Sequence, residues 1–269
     1  MKESLAQLKT HYFALPFNKE ERRVQVLLPK DYDMDLESRY PVLYMHDGQN
    51  LFFDKESYSG KSWGLLESLS SPKWPQVIVV AIDHAGAYRL PEYAPFPIEQ
   101  NLGYTIPRYP GNGQSYAEWL VTELKPFVDD NYRTEKTAEK TYIAGSSMGA
   151  LISAYTASRY PDLFSGLGIF SIASWVSENA FLDFCRQNPL NKNTKVYIQV
   201  GTNEMDKADQ KASPEKNQIY IDNSQNYYQT LINGGLAPQQ LKMEIVEGAT
   251  HNEGVWSKTF SHFLQHLFL

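Results

Sequence analysis

Cysteine is almost missing from this chain. Among 269 residues only Cys185 carries a thiol, so no internal disulfide framework holds the fold. Its setting, Ala180-Phe181-Leu182-Asp183-Phe184-Cys185, reads as a buried helical thiol rather than a nucleophile. Clustered positive charge is missing too: 25 basic residues face 31 acidic ones for a net charge of −6, and no basic run exceeds Arg22-Arg23. Phosphate neutralisation needs grouped cations, so no nucleic-acid partner is expected. No stretch approaches membrane-spanning length, and the N-terminal MKESLAQLKT has no apolar core of signal-peptide size. A soluble, cytoplasmic protein without a membrane partner is expected. No cluster of His, Cys and carboxylate has ligand spacing, so no metal is expected. No linker, repeat or low-complexity segment interrupts the chain, and a single domain over residues 1–269 is expected.

Aromatics, in contrast, are plentiful, with 18 Tyr, 13 Phe and 5 Trp. Some belong in a core, and the polar-tipped excess suits a pocket for a flat or sugar-like ligand. The stretch around which the rest is organised is Lys140 to Pro161. It contains Gly145-Ser146-Ser147-Met148-Gly149, a G-x-S-x-G pattern that a chain of this length shows by chance about one time in ten. Its flanks carry the argument. Thr141-Tyr142-Ile143-Ala144 is a short apolar strand, and Ala150, Leu151, Ala154, Tyr155 and Ser158 recur at helical spacing up to Pro161. Strand, sharp turn and helix are the context in which a serine becomes an exposed nucleophile. Gly145 and Gly149 supply clearance where strand and helix nearly collide, and the Met148 amide at the helix N-terminus can face a developing oxyanion.

Elsewhere, Leu5 to Leu15 and Arg22 to Leu28 read as an antiparallel pair around the turn Asn18 to Glu21. Pro41 to Met45 is an apolar strand running into His46-Asp47-Gly48-Gln49-Asn50, where the backbone amide of Gly48 or Gln49 can complement that of Met148. Gln76 to Ile82 is a β-branched run that ends at Asp83-His84. Ala85 to Gly113 has five prolines and no period. It is expected to form one wall of a substrate pocket, with Arg89, Glu92 and Tyr93 as its polar candidates. Ser115 to Tyr132 reads as an amphipathic helix, and Leu167 to Ser171 as a strand leading to Trp175, a further candidate wall. Strands at Lys195 to Val200 and Leu241 to Val246, with helices at Asn217 to Asn233 and Val255 to Phe268, complete the alternation. Alternating strands and helices predict an α/β fold: a mainly parallel central sheet, helices on both faces and an antiparallel N-terminal edge.

A serine hydroxyl needs a base, and the base needs an orienting acid. Of the histidines after Ser147, His262 and His266 fall within the terminal helix, while His251 lies in a loop between the last strand and that helix. His251 is the expected base. The acid is expected in the loop after Val200, where Glu204 is preferred and Asp206 is the alternative.

The segments Tyr44 to Phe52, Gly145 to Gly149, Glu123-Leu124-Lys125-Pro126 and Gly248-Ala249-Thr250-His251, with Arg89 to Pro95, carry a resemblance. From about Arg22 onward the chain resembles the esterase family of α/β hydrolases that includes enterobactin esterases, feruloyl esterases and S-formylglutathione hydrolases. That resemblance implies the α/β-hydrolase fold and a serine esterase without a cofactor, with Ser147 as nucleophile and His251 as base. It leaves open the substrate, expected as a small-acyl ester of a larger alcohol. Transfer of the acyl group to an alcohol, a catalytically silent binding protein, and assembly into a homo-oligomer also stay open.

Overall fold

The apolar runs of the sequence become the middle of one sheet, because each is buried along its whole length and needs cover on both faces. The computed structural model describes residues 7–99, 109–206 and 210–269, apart from the side chains of 18–20. Its eight strands are β1 (Gln7–Leu15), β2 (Asn18–Leu28), β3 (Val42–His46), β4 (Ile78–Ile82), β5 (Thr141–Ser146), β6 (Gly166–Phe170), β7 (Lys195–Gly201) and β8 (Leu241–Val246). They lie in the order β1-β2-β4-β3-β5-β6-β7-β8. The pairs β1/β2 and β2/β4 are antiparallel and the others parallel, which gives the expected antiparallel edge.

The N-terminal hairpin turns earlier than the polar residues suggested. Leu15 pairs with Asn18 across Pro16-Phe17, and residues 18–21 already belong to β2. The fixed φ of proline suits the second position of a tight turn, which outweighs the loop-like polarity of the next four residues.

The helices are α1 (Leu65–Ser68), α2 (Arg89–Tyr93), α3 (Gly113–Trp119), α4 (Lys125–Asn131), α5 (Met148–Arg159), α6 (Glu178–Gln187), α7 (Pro214–Asn233) and α8 (Glu253–Phe268). The expected helix from 115 to 132 is interrupted by a π turn at Leu120–Leu124. Pro126 offers no N–H, and its ring would press on the carbonyl four residues back, so the preceding turn widens. The aperiodic stretch 85–113 also holds more structure than its sequence suggested, since α2 forms within it; residues 100–108 lie outside the described residues. A five-residue helix shows no period, and what fixes α2 is tertiary: Glu92 accepts from the buried Arg22 guanidinium at 2.6 and 2.9 Å.

Alternation along the strands divides the core. Tyr44, Val80 and Ile143 pack with Trp119, Leu151 and Tyr227 on one face, while Met45, Ala81 and Phe170 meet Trp256, Phe260 and Phe263 of α8 on the other. Among the described residues no helix is long and apolar enough to cross a membrane.

Candidate active site

Parallel strands all end at one edge, and three adjacent ends there share an unusual backbone. Among the described residues the non-glycine residues with positive φ are Asp47 (58°), Ser147 (58°) and Ser171 (48°), which directly follow β3, β5 and β6. Such conformations cost free energy and persist only where surrounding contacts enforce them.

At Ser147, with ψ at −123°, the N–H donates to the Phe170 carbonyl at 2.9 Å and the side chain is left at the mouth of the turn, partly exposed. A methyl group on Gly145 would lie 2.6 Å from the Gly149 backbone, so strand β5 and helix α5 meet this closely only with glycine. Met148 opens α5, and its amide is one of those without an intrahelical acceptor.

The loop after β3 is fastened to this turn. Arg89 donates to Asp47 at 2.7 and 2.8 Å, and its second terminal nitrogen also reaches the Ser146 carbonyl at 3.4 Å. Burial pushes the Asp47 carboxyl up, but the charge and hydrogen bonds of Arg89 outweigh it and hold the group below its ordinary value. Gly48 and Gln49 follow in a short 3₁₀ turn, whose first amides have no partner within it. A methyl on Gly48 would fall 2.7 Å from Asp83 Oδ1, and Gln49 Oε1 accepts from the His84 amide at 3.1 Å. Both fix the path of the loop.

His46, just before this loop, is buried and never sees the site. Ser153 Oγ already donates to the Gly149 carbonyl at 2.8 Å, so the 2.9 Å contact with His46 is a donation from Nδ1–H, and among the described residues Nε2 has no partner. Burial lowers its pKa to about 4. The folded value lies below the unfolded one, so the contribution is intact above pH 6.5 and is lost as pH falls towards 4. The loss by pH 4 amounts to about 3 kcal/mol. Urea denaturation at pH 7, 5.5 and 4 should show this slope, and His46→Gln should flatten it.

On the other side of Ser147, a close approach joins β7 to β8. A Cβ at Gly201 would collide with the Ala249 carbonyl, so only glycine lets the loops after these strands touch. There His251 Nδ1 lies 2.6 Å from Glu204 Oε2. Glu204 has no exposed side-chain surface, whereas the His251 side chain is 23% exposed. Glu204 Oε1 accepts from the Gly201 amide at 2.5 Å and from Ser171 Oγ at 2.7 Å, and Ser171 Oγ accepts from Trp256 Nε1 at 2.9 Å. The imidazole sits between the rings of Tyr220 and Trp256, each 5.0 Å away.

Asp206, the alternative acid, is engaged elsewhere: its Oδ1 accepts from Ala212 N at 2.9 Å and Asn217 Nδ2 at 3.1 Å. His262 is paired with Glu244 and His266 with the Gln240 carbonyl, away from Glu204. His84 Nδ1 accepts from the Gly86 amide at 2.9 Å.

The expected pocket residues fare differently. Tyr93 has no exposed surface; its ring packs between His46 and Tyr116, and its hydroxyl accepts from the Asp47 amide at 3.4 Å. The expectation that it lines a pocket therefore gives way to a framework role beneath the loop. Arg89 stays partly exposed at the edge but is committed to Asp47. Trp175 is buried against Tyr220, and the Tyr220 ring also meets the His251 ring. Sequence reasoning passed over Asp47, Ser171, Tyr220 and Trp256. Ser171 and Asp47 each close an apolar strand with a polar residue, the one local signal available.

A mixed sheet with this order, a strained serine between β5 and α5, and a His–Glu pair carried after β8 and β7 define an α/β-hydrolase fold. More narrowly, the chain belongs to the family described as "Putative esterase", which it matches over residues 17–267, and is thus a hydrolase acting on esters. It is 25% identical over 248 residues to the uncharacterized protein YbbA of Bacillus subtilis, across 92% of each chain. Among solved structures it resembles an IroE-like serine hydrolase from Shewanella oneidensis, with TM-score 0.75 and 21% identity over 97% of this chain and 80% of that one. It also resembles the enterobactin esterase of Shigella flexneri, with TM-score 0.70 and 16% identity over 97% and 58% of the two chains. At such identities the likeness is one of fold.

Proposed function

We propose that the chain is a serine carboxylic ester hydrolase working through Ser147, His251 and Glu204. His251 Nε2 takes the proton of Ser147 Oγ as that oxygen attacks the ester carbonyl carbon. The carbonyl π electrons move onto oxygen, where the amide of Met148 and that of Gln49 or Gly48 receive the charge. Each such donor is worth roughly 3 kcal/mol in comparable sites. The tetrahedral species collapses, the imidazolium protonates the departing alcohol, and an acyl-enzyme remains. Water, deprotonated by the same imidazole, releases the acid and returns the proton to Ser147. Glu204 holds Nδ1–H throughout, which leaves Nε2 free as the base.

The observation that carries this reading is the 2.6 Å contact between His251 Nδ1 and a fully buried Glu204, at the same sheet edge as a serine in a strained turn. The acyl group is read as small and the substrate as an ester of a larger alcohol. Fluorophosphonate should label the wild type and not Ser147→Ala, and p-nitrophenyl acetate and butyrate should be hydrolysed by the first only. An unlabelled and inactive wild type would leave a silent hydrolase fold instead. Ester exchange with an added alcohol, in place of free acid, would make the same acyl-enzyme that of a transferase.

A further inference from the structure

The two oxygens of Glu204 have separate partners. Among the described residues Oε2 faces only the imidazole at 2.6 Å, while Oε1 is held by the Gly201 amide at 2.5 Å and the Ser171 hydroxyl at 2.7 Å. Burial excludes water from this carboxylate but does not orient it, since a glutamate side chain rotates about three bonds. Two donors on one oxygen do. A serine hydroxyl is itself a rotor and would donate wherever an acceptor offered. Here the Trp256 indole, which is donor-only, delivers its N–H to Ser171 Oγ at 2.9 Å and occupies a lone pair. The Ser171 proton is thereby directed to Glu204.

We propose that Ser171, set by Trp256, is a positioning residue for the base: it fixes the rotation of Glu204 so that Oε2 meets His251 Nδ1. This rests on the hydrolase reading above. The Ser171 backbone supports it independently. Its φ of 48° lies in the region glycine occupies without strain, and its amide donates to the Gln199 carbonyl at 2.6 Å. Glycine would satisfy the backbone equally well, so what the site gains from serine is the hydroxyl. The same indole also meets the His251 ring edge-on, with centroids 5.0 Å apart and planes at 84°. One side chain of α8 thus bears on both members of the His–Glu pair.

The test uses Ser171→Ala and Ser171→Gly in the full chain, assayed with p-nitrophenyl acetate beside Ser147→Ala and Glu204→Gln. Each Ser171 variant should lose about tenfold or more in kcat with KM unchanged, as removal of a hydrogen bond to a charged group allows. Ser171→Gly takes the acceptor from Trp256 Nε1 and should lower Tm by a few degrees. A wild-type circular-dichroism spectrum and cooperative melting well above the assay temperature separate the loss from misfolding. The deciding measurement is the cycle with Glu204→Gln: the double variant should be no slower than Glu204→Gln alone, because Ser171 acts through that carboxylate. Wild-type kcat in Ser171→Gly, or losses that add fully in the double variant, would overturn the proposal. If Ser147→Ala still hydrolysed the ester, the reaction itself would be misassigned. If Ser147→Ala and Glu204→Gln were inactive while Ser171→Gly was not, only the role of Ser171 would fail.

Discussion

Glu204→Gln should lower kcat roughly 10⁴-fold, the size of the loss when a triad carboxylate becomes an amide. The reason is a proton in the wrong place. With the Gly201 amide and Ser171 hydroxyl donating to the Oε1 position, the glutamine oxygen settles there and its NH₂ turns to His251. An amide N–H facing Nδ1 selects the tautomer in which Nε2 carries the hydrogen, and that nitrogen can no longer accept the serine proton. Substrate contacts are untouched, so KM should stay close to wild type. Asp206→Asn, which alters the contacts to Ala212 and Asn217, should leave turnover near wild type. Steady-state kinetics of the two variants decide the acid. A silent Asp206→Asn beside a slow Glu204→Gln supports the assignment, and the reverse pattern transfers the role.

The second large effect is on stability. Glu92→Ala removes the carboxylate that meets Arg22 at 2.6 and 2.9 Å, where both side chains are 3% exposed. Arg22 keeps the Asp83 carbonyl at 2.8 Å as an acceptor, and its guanidinium stays charged because arginine does not deprotonate in proteins. Leaving a buried charge uncompensated costs about 3–5 kcal/mol. For a chain of this size that corresponds to a fall in Tm of about 10 °C. Urea unfolding should show a lower midpoint at unchanged slope. A loss below about 1 kcal/mol would mean that water reaches Arg22 once Glu92 is gone. Replacing both partners with apolar residues of similar volume should recover much of the loss, since neither charge then needs solvating.

These two sites also show what the sequence can display. Central strands such as Ile78–Ile82 are legible because full burial demands a continuous apolar run, and the turn at Ser147 is legible because strand, glycine and helix signals fall within a few residues. The His251–Glu204 pair follows from chain order, since both candidates sit in loops after strands. The rest depends on contacts between residues distant in sequence. Arg89 and Asp47 are 42 residues apart, Ser171 and Glu204 33, and Arg22 and Glu92 70. No local period records such partners. Helix α2 was hidden for the same reason, being a single turn held by a partner on β2. The hydroxyl of Tyr93 marks it as polar in the sequence, yet its ring is enclosed by His46 and Tyr116.

The proposed nucleophile and base are carried by strands of unequal security. Ser147 follows β5, which has β3 and β6 as neighbours and is buried throughout. His251 follows β8, the last strand of the sheet, which among the described residues pairs with β7 alone and is mostly half-buried. Edge elements with exposed hydrogen bonds open at lower free energy than the centre of a sheet. The reactive geometry is therefore only as durable as this outer seam. Fraying at β8 would withdraw the imidazole while the central strands stayed paired, so turnover should be lost before the fold.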